Sequence, residues 1–203
     1  MERLKAMYSS PFYVSLWARI RLIHAGYDFV EQYAPRAGKI LDLGCGYGLF
    51  SNYLALASDQ RRVMGLELNQ RKLKHADKGL KNACFKNSDI LMEPITEQYD
   101  CIVLLHVLHH LKSFEEQDLL LNKCAQLLSS PGRLIILEVD NTPLLKYALA
   151  YIVDHILYPY EKIFYRPRQP MEKILKDMGL AVKSHPMHLG RLFPHFLYVA
   201  DKV

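Results

Sequence analysis

Lys39-Ile-Leu-Asp-Leu-Gly-Cys-Gly-Tyr-Gly48 decides the fold. Its first five residues read as a short apolar strand and its three glycines as a tight turn. Beyond them Leu49, Phe50, Tyr53, Leu54 and Leu56 recur at helical spacing. Strand, glycine turn and helix form the opening unit of a parallel α/β sheet, in which ligands sit beyond the carboxyl ends of the strands.

The same alternation continues on both sides. Ser10-Pro11 to about Tyr33 reads as helix, with Ser10 as cap, Pro11 at the first helical position and Pro35 just past the end. Strands are predicted at Arg62–Glu67, Ala83–Lys86, Asp100–Leu105 and Arg133–Glu138. A charged helix capped by Asn69 spans Gln70 to Lys81, and a capping box of Ser113 and Glu116 opens the helix carrying Leu119, Leu120, Cys124, Leu127 and Leu128. A long helical segment from Pro143 to Phe164 and a shorter one from Pro170 to Met178 follow. Ala181–Lys183 and Phe196–Ala200 then read as two strands with no helix between them, so one of them is expected to run antiparallel. The expectation is one domain of 203 residues: an N-terminal helical cap (1–37), a cofactor-binding core (38–140), a helical lid insertion (141–169) and a final helix with strands (170–203).

The turn differs from a dinucleotide fingerprint, because its spacing is Gly-x-Gly-x-Gly and Asp42 stands two residues before the first glycine. A carboxylate there repels a pyrophosphate and attracts an ammonium and a sulfonium, which selects S-adenosylmethionine over NAD. Glu67 ends the second strand nineteen residues after Gly48, where an acid can accept from both ribose hydroxyls. Asp89 follows the third strand in Asn87-Ser-Asp-Ile90, placed to accept from an adenine amino group while Ile90 packs on the ring; alone, it reads equally well as a loop acid.

Ile40–Gly48, Glu67, Ser88-Asp-Ile90 and Asp100-Cys-Ile-Val-Leu-Leu-His-Val-Leu-His-His-Leu111 together resemble the class I S-adenosylmethionine-dependent methyltransferase family, over roughly residues 38 to 140. The resemblance implies a doubly wound, Rossmann-like α/β sheet of seven strands with an antiparallel last strand, N-terminal helices and a helical insertion after the fifth strand. It also implies a cofactor site made of Asp42, the glycine loop (Gly44, Cys45, Gly46, Gly48), Glu67 with Leu68, Asp89, Ile90 and His106. Tyr8 and Tyr13 are expected to close over the methionine end, with Tyr13 in the cofactor set.

Methyl transfer needs alignment first, and a base near pH 7 helps when the acceptor is a phenol, an alcohol or a protonated amine. His106 is the first candidate to orient or deprotonate the acceptor, followed by His109 and by His195, which precedes the last strand; His110 reads as packing within its turn. Tyr158, Tyr160 and Tyr165 read either as half-buried aromatics or as pocket walls. No acid or cysteine completes a ligand set around the histidines, so no metal is expected.

Several motifs are missing. Leu105-His106-Val107-Leu108 stands where an Asn/Asp-Pro-Pro-Tyr segment or a Pro-Cys would serve nucleic-acid or glutamine methylation. The 26 basic against 21 acidic residues give a net charge of +5 without a basic stripe, which argues against nucleic acid as a partner. The expected acceptor is a small, largely apolar or aromatic molecule, lipid-linked or polyketide-like. An RNA or protein methyltransferase and a non-catalytic cofactor-binding module are the alternatives. The oligomeric state is not written in the sequence.

Leu144–Tyr158 is fifteen residues and carries Lys146, Asp154 and His155, so it falls short of the ~20 apolar residues of a membrane span. Lys146, Asp154 and Glu161 recur seven or eight apart and leave Leu145, Leu149, Ile152, Val153, Ile156 and Leu157 on one apolar side. That side reads as a lid packed on the core or as a peripheral membrane contact. Four cysteines without a CxxC pair and an N-terminus without an apolar h-region suit a cytoplasmic protein.

Overall fold

The first five residues quoted above form the heart of strand β1 (Gly38–Leu43), and the glycine turn delivers the chain into helix α4 (Leu49–Ala57). The structure is a computed structural model and describes residues 1–92, 96–157, 160, 162–187 and 192–203. Tyr158, Glu161 and Arg191 lie outside the described residues. The remaining elements in chain order are α1 (Glu2–Met7), α2 (Phe12–His24) and α3 (Tyr27–Glu31) ahead of β1, then β2 (Arg61–Glu67), α5 (Gln70–Leu73), β3 (Ala83–Asn87) and β4 (Tyr99–Leu105). After these come α6 (Phe114–Leu127), β5 (Leu128–Val139), α7 (Leu144–Leu157), α8 (Arg168–Asp177), β6 (Ala181–Pro186) and β7 (His195–Lys202).

The seven strands run in the order β3-β2-β1-β4-β5-β7-β6. β1 pairs parallel to β2, and β2 parallel to β3. β7 runs antiparallel to both β5 and β6, which is the topology expected of the ending without a helix. The chain divides within β4 into two compact units, Met1–Val103 and Leu104–Val203.

In the first unit Ile40, Leu41, Leu43, Leu49, Leu54 and Val63 are fully buried, each contributing about 2 kcal/mol by removal from water. The helix expected from Ser10 to Tyr33 is broken at Ala25-Gly26, where Gly26 takes φ 63°. The break turns Tyr27 inward onto Phe50, with ring centroids 4.8 Å apart. The preceding helix starts with Pro11, not Ser10, as its cap residue, and α1 is an element the sequence reading did not contain. The charged helix expected to reach Lys81 stops at Leu73: Asn69 does cap it, accepting from the Arg71 and Lys72 N–H groups, but none of its four residues is buried.

The second unit follows the same logic. Ser113 accepts from Glu116 N and opens α6 as expected. The long helix ends at Leu157 and Lys162–Pro167 is irregular, because Phe164 is tied down at both backbone groups: its N–H donates to His109 O and its carbonyl accepts from Gln117 Nε2. The apolar side of α7 faces outward, with Leu145 84% and Ile156 71% exposed, while Ala150 is its buried residue and Asp154 is turned inward. No helix among the described residues is long and apolar enough to cross a membrane.

One buried ion pair fastens the edge of the first unit. Arg61, fully buried at the start of β2, donates through Nη2 to Glu31 Oε1 at 2.7 Å, through Nε to Pro35 O and through Nη1 to Leu54 O, joining α3, α4 and β2. Removing one partner of such a pair leaves the other charge uncompensated. Glu31→Gln is expected to destabilise the protein by about 3 kcal/mol in a urea titration. Double replacement by apolar residues, Glu31→Leu with Arg61→Met, is expected to recover most of that loss.

Candidate active site

Three carboxylates stand at or just past the carboxyl ends of three strands of the first unit, Asp42 in β1, Glu67 closing β2 and Asp89 beyond β3. Asp42 is buried, and the Ser51 hydroxyl of α4 donates to its Oδ2. Burial raises its pKa to about 7, the neighbouring Glu67 charge adds to the rise, and Ser51 opposes it. Glu67 accepts from Gly46 N through Oε2 at 2.8 Å and from Asn69 N through Oε1 at 2.7 Å, so its carboxylate lies against the glycine loop. Asp89 Oδ1 accepts from Leu91 N, and both Asp89 and Ile90 are half-buried. Leu68, next to Glu67, is exposed.

The glycines of the loop serve two different purposes. A Cβ on Gly46, at φ 58°, would meet only Glu67 Oε2 at 4.0 Å, so that position leaves room for a ligand against bare backbone. A Cβ on Gly48 would come within 2.7 Å of Phe85 and 2.8 Å of Ala76, so there the missing side chain lets α4 pack. Cys45 between them is buried, which pushes its thiol well above the ordinary range and leaves it inert as a nucleophile.

Of the two N-terminal tyrosines, Tyr8 reaches the loop. Its hydroxyl donates to Tyr47 O and lies 2.8 Å from Asn52 Nδ2, which also faces Gly48 O and Ala76 O. Tyr13 is exposed, its hydroxyl 2.9 Å from His75 Nε2. Asn87 ties the ends of β2 and β3 together by donating to Glu67 O and Leu68 O. Ser51, Asn52 and Asn87 are absent from the candidates read in the sequence. They are supports, recognisable only once the elements they join are in place.

The second unit brings the three histidine candidates together. His106 lies with its ring centroid 4.6 Å from that of His195 and 6.2 Å from that of His109. His195 is the first residue of β7, not a residue ahead of it, and is buried; His106 is half-buried. Glu138 of β5 organises the turn after β4. Its Oε1 accepts from Val107 N at 3.0 Å and Leu108 N at 2.8 Å, and its Oε2 is hydrogen-bonded to His109 Nδ1. Complete burial pushes the Glu138 pKa up, but His109 and the Leu108 N–H outweigh it and hold the group a carboxylate below its usual range.

His109 Nε2 stands 3.9 Å from Asp154 Oδ2, the oxygen to which the Tyr165 hydroxyl donates, and the Tyr165 ring stacks on His109 at 5.2 Å. Burial and Asp154 raise the Tyr165 pKa far above its ordinary value, so it stays a neutral phenol. Beside it opens a cavity of about 310 Å³ lined by Val139, Asn141, Leu144, Tyr147, Tyr165, Arg166 and Pro167. Tyr165 is the one of the three tyrosine candidates that the structure places on a cavity wall. Glu138 and Asp154 were missed. Glu138 carried the signal that singled out Glu67, an acid closing an apolar strand, whereas Asp154 read as part of a solvated helix side. Among the described residues no group of three or more His, Cys, Asp or Glu gathers as metal ligands.

A family model described as a methyltransferase domain matches residues 17–185. The chain belongs to the class I S-adenosylmethionine-dependent methyltransferases. The ubiquinone biosynthesis O-methyltransferase of Stutzerimonas stutzeri (strain A1501) is 25% identical over 172 residues, covering 77% of this chain and 71% of that protein. Its human mitochondrial counterpart by name is 30% identical over 164 residues, covering 72% of this chain and 42% of that one; the methyltransferase described here thus spans less than half of that relative's length. In fold it is similar to the magnesium protoporphyrin IX methyltransferase of Synechocystis PCC 6803 with bound S-adenosylhomocysteine, at TM-score 0.73 and 21% identity, covering 100% of this chain and 94% of the other.

The family's cofactor is S-adenosylmethionine. The first unit's donor set fits its chemistry: a buried carboxylate for a cation, a second carboxylate against bare glycine backbone for a diol, and no basic side chain among them.

An acid whose folded pKa is raised to about 7 is protonated below that pH, and a cationic ligand binds its ionised form. Affinity for S-adenosylmethionine in calorimetry is therefore expected to rise with pH through about 7, by up to tenfold per pH unit below it, and Asp42→Asn is expected to flatten that profile. The same variant is expected to gain stability relative to the wild type as pH rises from about 4, with the gain complete above about 7, because the carboxyl ionises near 3.8 when unfolded and near 7 when buried. His106, the one described non-glycine residue with positive φ, sits at 59°, a conformation that costs an L-residue about 1 kcal/mol. His106→Gly is expected to leave the melting temperature unchanged or higher while methyl transfer falls, which would show that the imidazole is kept for function at a cost to stability.

Proposed function

We propose that the protein transfers a methyl group from S-adenosylmethionine to a small, largely apolar or aromatic acceptor carrying an ionisable hydroxyl, and that His106 orients or deprotonates that hydroxyl. The reading rests on one observation: a cavity of about 310 Å³ walled by Tyr147, Tyr165, Val139, Leu144 and Pro167 with Asn141 and Arg166, in the unit that also gathers His106, His109 and His195. Tyr147 and Tyr165 meet edge to face at 5.5 Å and offer ring surfaces to a planar molecule, with Val139 and Leu144 completing an apolar wall. A relative named for O-methylation in ubiquinone biosynthesis supports a phenolic acceptor.

The cofactor, when bound, supplies a methyl group on a sulfonium. In this reading Asp42, the Gly46 backbone, Glu67 and Asp89 hold it, and Ile90 packs beside its base. His106 accepts the acceptor's proton, a task suited to an imidazole because a phenol at its ordinary pKa of about 10 is largely un-ionised at neutral pH. Glu138 is a positioning residue. It pins Val107, Leu108 and His109, while the His106 N–H donates to Leu137 O at 2.9 Å, so the histidine is held between fixed neighbours.

The test is a turnover screen of the full chain with S-adenosylmethionine and a panel of simple, polycyclic and prenylated phenols, read by S-adenosylhomocysteine formation. Turnover only with amines, proteins or RNA would sink the phenolic reading. With the acceptor found, Glu138→Ala is expected to lower kcat by about a hundredfold with the KM for S-adenosylmethionine unchanged, as a displaced base would. Glu138→Gln, which keeps an oxygen for the Val107 and Leu108 N–H groups, should recover much of it. Equal losses in both variants would make the charge, not the geometry, the contribution of Glu138.

A further inference from the structure

Helix α2 carries an apolar stripe that points away from the core. On α2, Val14 and Ala18 are buried, and the residues opposite them are Phe12, Leu16, Ile20 and Ile23. At 100° per residue these four lie within roughly 80° of one another. All four are exposed, Phe12 at 81% and Ile23 at 70%. A helix of this kind normally turns such a stripe to the core; here the stripe is the outermost side of the helix.

The charges around it choose an occupant. Residues 1–27 hold Arg3, Lys5, Arg19 and Arg21 against Glu2, to which Lys5 donates at 2.8 Å, so this segment carries three of the chain's five excess positive charges. Arg3, Lys5 and Arg19 are exposed, and Arg19 lies beside Ile20 and Ile23 on the outward side. Arg21 stacks over Trp17 at 5.7 Å, and Tyr13 is exposed at the margin of the stripe. Apolar side chains along the outside, aromatic residues at the margin, an arginine beside them and a net positive segment are the composition of a helix that lies in the plane of a lipid interface. The outward side of α7 is apolar too, but no exposed charge accompanies it within that helix, so nothing there selects what covers it.

We propose that the outward face of α2 seats the protein on an anionic lipid bilayer, with Phe12, Leu16, Ile20 and Ile23 in the acyl boundary, Arg19 at the phosphate level and the net positive charge of residues 1–27 drawing the segment to the headgroups. The apolar stripe supplies burial and the basic residues supply a preference for negative headgroups, the two signals that together hold a peripheral protein on a surface.

The experiment is flotation of the full chain with vesicles of phosphatidylcholine alone and of phosphatidylcholine mixed with phosphatidylglycerol, alongside sedimentation velocity without lipid. The wild type is expected to float with the mixed vesicles and much less with phosphatidylcholine. The double variant F12S/I20N is expected to lose more than tenfold in partitioning, because two large apolar side chains no longer leave water. R3Q/R19Q should weaken binding to the anionic vesicles by about fivefold per charge and leave binding to phosphatidylcholine unchanged. Unchanged melting temperatures would confirm that both variants fold. Equal flotation of wild type and F12S/I20N would overturn the proposal. So would a dimer in the absence of lipid that F12S/I20N dissociates, because a second copy of the chain would then cover the stripe.

Discussion

A carboxylate at the end of a strand, collecting the backbone N–H groups of the loop that follows or faces it, is the interaction on which both units depend. Glu67 closes β2 and accepts from Gly46 and Asn69, which fixes the glycine loop and starts the next helical turn. Glu138, near the end of β5, accepts from Val107 and Leu108 and holds His109. Such bonds stabilise loops that have no ladder of their own, since a buried N–H without an acceptor costs more than a typical hydrogen bond contributes. Asp42 is the contrasting case. It is as buried as Glu138, yet Ser51 is its hydrogen-bond donor, and its pKa rises to about 7 where that of Glu138 falls. The acid least compensated by the protein is the one with most to gain from a cationic ligand.

The left-handed backbone of the two loops follows from the same constraint. In the first unit Gly44, Gly46 and Gly48 all take positive φ, which glycine accepts without penalty, and the chain turns tightly enough to present Gly46 N to Glu67. After β4 the sequence offers no glycine, and His106 takes the strained conformation itself, at φ 59°. Glu138 and Leu137 hold the backbone on either side of it, so the surrounding bonds over-determine the conformation. A backbone held in this way fixes where the imidazole starts before any acceptor arrives.

What could be read in the sequence was what one segment determines by itself. The β1 strand and glycine turn, the acids at strand ends, the Asn69 and Ser113 caps and the irregular antiparallel ending are each properties of a few consecutive residues. The departures have long-range causes. The N-terminal helix breaks at Gly26 because Tyr27 has Phe50 to pack against, and the helix from Gln70 stops early because its charged residues find no core. The gathering of His106 with His195 joins residues 89 positions apart, and no local pattern carries that distance. Glu138 was visible as a strand-end acid, but its role needed the β4 turn beside it.

α7 shows why an amphipathic pattern does not fix which way a helix faces. The periodicity of Lys146 and Asp154 defines an apolar side and a polar side, and the ordinary expectation puts the apolar side inward. Asp154 reverses this, because the Tyr165 hydroxyl donates to it and His109 Nε2 stands 3.9 Å away, so the polar side has partners inside the unit. A carboxylate bonded in this way resists exchange with a leucine, which would leave the phenol and the imidazole buried without it. The apolar side then faces out, and what the helix gains from one satisfied acid it leaves unburied in Leu145, Leu149, Ile152 and Ile156. The hydrophobic pattern sets the axis of such a helix, and the one paired acid sets its sign.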